Sequence, residues 1–191
     1  MKVVAFNGSP RKKGNTSLLI NVVLDELKKE GVETEIVQIG GTPIHGCRAC
    51  FKCMTNRDKR CSQNDDALNK YLEMMLEADG LIFGSPTYHG DVTPELKALI
   101  DRAGLVSKVN WALFRRKVGA AVVAVRRAGS IHAISSIHHM MLMNEMVIPG
   151  SSYWNMAVGF DKGDAEKDEE GIATMRTLGQ NMAWLLKKLN G

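Results

Sequence analysis

The chain has 191 residues, 45% hydrophobic and 24% charged, with a net charge of +4, the balance of an ordinary globular protein that buries one full core without disulfide or metal staples and leaves no room for two substantial domains. Basic clusters at Arg11-Lys12-Lys13 and Arg115-Arg116-Lys117 stand against an acidic stretch over 161–170, and neither forms a tract for nucleic acid or membrane. No run reaches the roughly 18 apolar residues of a membrane helix, and the opening MKVVAFNGSP is too short in apolar residues for a secretory segment, so the expected location is the cytoplasm.

Val3-Val4-Ala5-Phe6 is a short, β-branched apolar run, as a strand buried on both faces requires. Over 16–29, Leu18, Leu19, Val22, Val23 and Leu27 recur at helical spacing and Gly31 closes the segment. A second strand over 33–39 carries Glu33, Thr34, Glu35 and Gln38, a polarity suited to a sheet edge. After Gly40-Gly41 comes an irregular cysteine-bearing insert, about 41–63, and then a predicted helix over 64–77. A third strand, Gly80-Leu81-Ile82-Phe83, exits through GSPTYHGD to Thr93 and Pro94, a helix cap followed by a first-turn proline. The fourth strand is predicted over 118–125, followed by Arg126-Arg127-Ala128-Gly129 and a Met- and His-bearing helix. A short fifth strand is predicted near 146–148, and a last helix over 169–189. Strands alternating with helices call for a parallel sheet covered on both faces, because parallel neighbours need right-handed crossovers. Five strands in one domain suit the order 2-1-3-4-5. The chain shows no internal repeat, low-complexity tract or linker.

In such a sheet, ligands bind beyond the carboxyl ends of the strands where the strand order reverses. The first of these loops, Asn7 to Ser17, ends where a helix begins. Its helix start offers unpaired N–H groups and a positive dipole end, while the Ser9, Thr16 and Ser17 hydroxyls, the Asn15 amide and the Arg11 guanidinium can complete a phosphate cage. It matches neither G-x-x-x-x-G-K-[ST] nor G-x-G-x-x-G, which argues against kinase-like nucleotide binding. The bland alternative is a capped helix behind a polar turn. In the second loop, Pro86, Thr87, Tyr88, His89, Gly90 and Asp91 can lay backbone N–H groups and a flat side chain along a planar ligand. The third loop reads either as backbone meeting the polar edge of the same ring, with arginines toward an anion, or as a solvated basic turn.

All four cysteines, Cys47, Cys50, Cys53 and Cys61, lie in one 15-residue window, spaced C-x2-C-x2-C-x7-C. The compact first three resemble a ferredoxin-type loop, and with no second set all four would close one 4Fe-4S site. Zinc and reduced free thiols are the alternatives. His45 is near enough to substitute as a ligand. His132, His138 and His139 share a helix with several methionines but lack the spacing of a metal pair, so core or subunit interface is the simpler reading. No nucleophile–base–acid arrangement is present, so the chemistry belongs to a cofactor.

GSPRKKGNTS after the first strand, GSPTYHGDVTPELKALIDR after the third, VRRAG after the fourth and the compact cysteine motif together resemble the NADPH-dependent FMN reductase family of the flavodoxin-like fold, and within it the iron-sulfur flavoproteins. The resemblance covers essentially the whole chain. It implies FMN phosphate held by Ser9, Arg11, Asn15, Thr16 and Ser17, and an isoalloxazine ring against Pro86, Thr87, Tyr88, His89, Gly90 and Asp91 and near Arg127, Ala128 and Gly129. It also implies a cluster that passes electrons to FMN, often between subunits of a homodimer or homotetramer. The expected activity is a redox enzyme that takes single electrons from a ferredoxin-like donor and passes them to a small-molecule acceptor. One alternative is a NAD(P)H-dependent flavin or quinone reductase with zinc or idle thiols. The other is a non-enzymatic redox-sensing module.

Overall fold

The computed structural model describes residues 1–190. Five parallel strands, β1 (Lys2–Asn7), β2 (Glu33–Gln38), β3 (Gly80–Pro86), β4 (Val118–Val125) and β5 (Met156–Val158), lie in the order β2-β1-β3-β4-β5. Six helices accompany them: α1 (Asn15–Lys29), α2 (Lys52–Asn56), α3 (Leu68–Glu77), α4 (Pro94–Val109), α5 (Ser130–Met143) and α6 (Glu169–Asn190). This is the flavodoxin-like order that the alternation of elements predicts, with the polar β2 at the sheet edge.

Alternation along each strand divides the interior in two. Val3, Ala5, Ile82, Val118, Ala120 and Val122 pack with Leu19, Ile20 and Val23 of α1 and Met175, Leu178 and Met182 of α6. Val4, Phe6, Leu81, Phe83, Ala121 and Val123 pack with residues of α3, α4 and α5. Phe6 and Phe83 stack at 5.8 Å in the centre of the second layer. Both layers are apolar against the sheet, and the loops at the strands' carboxyl ends carry the polar residues that line a cavity there.

Three details depart from the sequence expectations. The fifth strand is Met156–Val158, not 146–148. The earlier segment makes only a single parallel bridge, Val118 with Val147, at the opposite end of β4. The helix expected from residue 64 begins at Leu68, and a short helix, α2, stands inside the cysteine insert. Thr93 sits at the N-cap of α4 but makes no side-chain cap. Its hydroxyl donates instead to Gly8 O, 2.8 Å away, joining the first and second loops.

Candidate functional site

A cavity of about 250 Å³ opens at the carboxyl ends of β1, β3 and β4. Its floor is set by β1 and its successor loop. Asn7 Nδ2 donates to Gln38 Oε1 (2.8 Å), and Gln38 Nε2 donates to Ser9 O (2.6 Å) and Gly40 O (2.7 Å). The edge strand thereby clamps the loop. Gly40 is required there, since a Cβ would overlap Gly8 O and the Ser9 carbonyl carbon. Arg11 N donates to Ser9 Oγ (3.2 Å), and Gly14 gives α1 no side-chain cap, leaving its first-turn N–H groups available to an anion.

The second loop is folded back by paired backbone bonds, Tyr88 N to Asp91 O (2.8 Å) and Asp91 N to Tyr88 O (3.0 Å). His89 and Gly90 both have positive φ, 48° and 84°, the pattern of a type I′ turn. Gly129, at φ 91°, lets the third loop close on it, since a Cβ there would lie 3.0 Å from Gly90 Cα and 3.1 Å from Thr87 Cγ2. Thr87 N donates to Ala124 O (2.9 Å), while its buried hydroxyl has no partner.

Of the residues expected to bind, Ser9, Arg11, Asn15, Thr16, Pro86, Thr87 and Tyr88 line the cavity. Ser17 is buried just behind, and His89, Gly90, Asp91, Arg127, Ala128 and Gly129 form its surrounding turns without lining it; Arg127 and Ala128 are exposed. Arg126, Gly159 and Phe160 line it without having been expected. The Arg126 guanidinium lies 4.6 Å from the Phe160 ring centroid, and Arg11 Nη1 donates to Phe160 O (3.3 Å). The Asn15 side chain secures the following segment rather than standing free, donating to Asp161 O (2.9 Å) and accepting from Gly163 N (2.8 Å). Two guanidinium groups, uncapped helix N–H groups and an unpaired hydroxyl around one cavity fit a phosphate-bearing, flat ligand such as FMN.

The four cysteines converge on a second cavity, walled by Phe51, Ser62, Gln63 and, from α4, Arg102, Leu105 and Val106. Cys47 and Cys50 are exposed, Cys61 is half-buried and Cys53 is buried. Left-handed backbone at the non-glycine residues Ala49, Phe51, Arg57 and Lys59, with φ from 50° to 61°, winds the loop around this point. Such turns gather N–H groups into the concavities that suit anionic clusters. The Ser62 hydroxyl, 3.3 Å away, and then the Lys52 backbone N–H hold the Cys50 thiol below its ordinary value, while burial and then the charge of Cys61 push Cys53 up. Arg102 packs behind Cys61 in a fully buried pair with Asp66. Burial alone would raise Asp66, but the Arg102 guanidinium and the His45 and Leu68 backbone N–H groups keep it below the usual carboxylate range. His45 lies 3.9 Å from Asp65 and does not line the cysteine cavity. His138 and His139 line separate grooves on either side of α5. The cavity is small, about 10 Å³, and it is the donor set, four thiols with a buried cation at hand, that suits a four-thiolate group.

A parallel sheet with an anion cradle at its switch point places the protein in the flavodoxin-like class of phosphate-ligand binders. Residues 1–161 match the family described as NADPH-dependent FMN reductase, so the chain belongs to that family and is an FMN-dependent oxidoreductase. It is 37% identical over 194 residues to an iron-sulfur flavoprotein of Methanocaldococcus jannaschii, covering 98% of each chain. It is 35% identical over 190 residues to the iron-sulfur flavoprotein of Methanosarcina thermophila, covering 98% of this chain and 96% of that one. Among solved structures, it resembles RosB with a bound riboflavin-phosphate intermediate, with a TM-score of 0.77 at 18% identity over 99% of this chain and 80% of that one. That likeness concerns the fold. No helix among the described residues is long and apolar enough to cross a membrane.

Proposed function

We propose that this protein accepts single electrons from a ferredoxin-like carrier at a 4Fe-4S cluster ligated by Cys47, Cys50, Cys53 and Cys61, and passes them through FMN to a small acceptor. The observation that carries this reading is the convergence of all four cysteines on one cavity backed by a buried guanidinium. The names of the relatives at 35–37% identity support it. When bound, the two groups supply complementary chemistry, one-electron acceptance at the cluster and two-electron delivery at the flavin. The chain's own part is to bind and orient. Ser9, Arg11, Thr16 and the first turn of α1 hold the phosphate, with Arg126 adding charge at the mouth and Asn15 fixing the segment that carries Phe160. Pro86, Thr87 and Tyr88 take the flat ring against the turn that Gly129 closes.

The two cavities share no lining residue, and Tyr153, Trp154, Phe160 and Trp184 are each more than half exposed. The reading therefore extends to a cytoplasmic homodimer or homotetramer in which a second copy covers apolar surface. Sedimentation showing monomer alone counts against this extension.

Protein purified without oxygen should carry one FMN with about four iron and four sulfide per chain. Cys50→Ser should lose iron and slow flavin reduction by a reduced ferredoxin. FMN with zinc or no metal, bleached rapidly by NADPH, would overturn the reading in favour of a NAD(P)H-dependent reductase. Failure to reduce any dye acceptor would leave a sensing module.

A further inference from the structure

The least expected side chain in the molecule is Arg102. It lies inside α4, and both its side chain and that of its partner Asp66 are fully buried. All five guanidinium hydrogens have acceptors. Nε and Nη2 each donate to Cys61 Sγ at 3.4 Å, Nη1 donates to His45 O (3.0 Å) and to Asp66, and Nη2 donates to Gln63 O (2.9 Å). These acceptors stand on both sides of the cysteine motif. One side chain therefore ties the entry of the loop to its exit. The Cys61 backbone is held independently by Asn69 of α3, which accepts from Cys61 N (2.8 Å) and donates to Cys61 O (2.9 Å).

Burying a guanidinium costs several kcal/mol, and an apolar side chain would fill the same space at less cost. One carboxylate and two carbonyls account for three of the five donors. The remaining two meet a single sulfur, a weak acceptor as a thiol and a strong one as a thiolate. A fixed fork with two hydrogens on one sulfur is geometry that lysine cannot reproduce.

We propose that Arg102 is a positioning residue for the cysteine-held cluster, fixing Cys61 as its fourth ligand and raising the cluster's reduction potential through a buried positive charge and two N–H···S bonds. The inference rests on the reading of the four cysteines as cluster ligands. Its physical basis is that thiolate ligation leaves the cluster anionic and reduction adds one more negative charge. A cation in a low-dielectric wall beside one ligand therefore stabilises the reduced form more than the oxidised one.

The experiment uses the full chain purified without oxygen, as wild type, Arg102→Lys and Arg102→Gln, with FMN content reporting the fold of the remote cavity. Both variants should keep FMN and lose iron to a chelator about tenfold faster. Arg102→Gln should be reduced at a lower potential than wild type, and Arg102→Lys should fall between them. Variants that keep FMN together with wild-type iron retention and potential overturn the proposal. If the variants lose FMN as well, wild type grown on guanidino-15N-arginine decides the matter, because pulsed EPR of the reduced cluster should show coupling to arginine nitrogen, and its absence overturns the proposal. The other arginines of this region, Arg48, Arg57 and Arg60, are exposed and engaged with Asp65, the Trp111 ring and Glu73. Wild type without iron or sulfide overturns the cluster reading itself, an outcome that the metal analysis reports separately.

Discussion

Thr87 carries a hydroxyl that the protein alone leaves unpaired in a buried position, at a cost of about 1–3 kcal/mol. A ligand that pairs with it recovers that cost on binding. Thr87→Val should therefore leave the melting temperature of the FMN-free protein unchanged or raise it, while weakening FMN about tenfold, or about 1.4 kcal/mol, in a calorimetric titration. Unchanged affinity would remove Thr87 from the binding set. The sequence placed Thr87 in the right loop because turn formers after an apolar strand are visible in any reading. It could not show which of Arg126 and Arg127 lines the cavity. Neighbouring residues leaving a strand diverge, and the choice depends on where pairing stops, which here is at Val125. Arg102 was hidden for another reason. It stands in an ordinary amphipathic helix, where an arginine reads as solvated, and only the return of the cysteine loop over α4 reveals its acceptors.

At the level of elements, the strands buried on both faces were legible to within a few residues, because unbroken apolar runs such as 118–125 have no alternative environment. The fifth strand was not. The edge beside β4 is split: Val147 pairs at Val118, the chain then leaves through Pro149 and Gly150, and Met156–Val158 returns against Val123, Ala124 and Val125. The more apolar half reads as the strand, whereas Gly159 and Phe160, which line the cavity, follow the other half. The cysteine insert was legible as a unit, but its winding was not, because left-handed backbone at Ala49 and Phe51 has no compositional signal. The clamp between β2 and the first loop gives an element-scale prediction. Gly40→Ala must displace Gly8 and Ser9, at about 1–3 kcal/mol. At roughly 2–4 °C per kcal/mol for a chain of this size, it should lose several degrees of melting temperature along with FMN retention. Gly46→Ala, with nothing within 4 Å of its new methyl group, is the matched control and should melt like wild type. Equal melting of the two variants would mean that the loop yields without cost.

Across the whole molecule, acid acts on the fold first through the half-buried His138 and later through carboxylates, Asp66 and Glu26 among them, whose folded values lie below the ordinary one. Burial, followed by repulsion from His139, lowers the proton affinity of His138, whose Nε2 has no partner in the structure. In the unfolded chain the same imidazole takes up a proton near its ordinary value of about 6.5. Between that pH and the lower folded value the unfolded state binds more protons, so stability falls as pH falls below about 6.5. Asp66 acts later. Its folded carboxyl lies below the usual range, so its contribution is complete above the unfolded value of about 3.9 and is lost as pH falls through the folded one. The order follows from the two ordinary values, since both shifts run downward, and it separates the fold around α5 from the support of the cysteine loop. The melting temperature of wild type should begin to fall as pH drops below about 6.5 and fall more steeply below about pH 4. His138→Gln should flatten only the first segment, since it removes the titrating group and leaves the Asp66–Arg102 pair untouched. Parallel profiles for the two proteins would show that His138 gains a partner or solvent in solution and is not the source of the first loss.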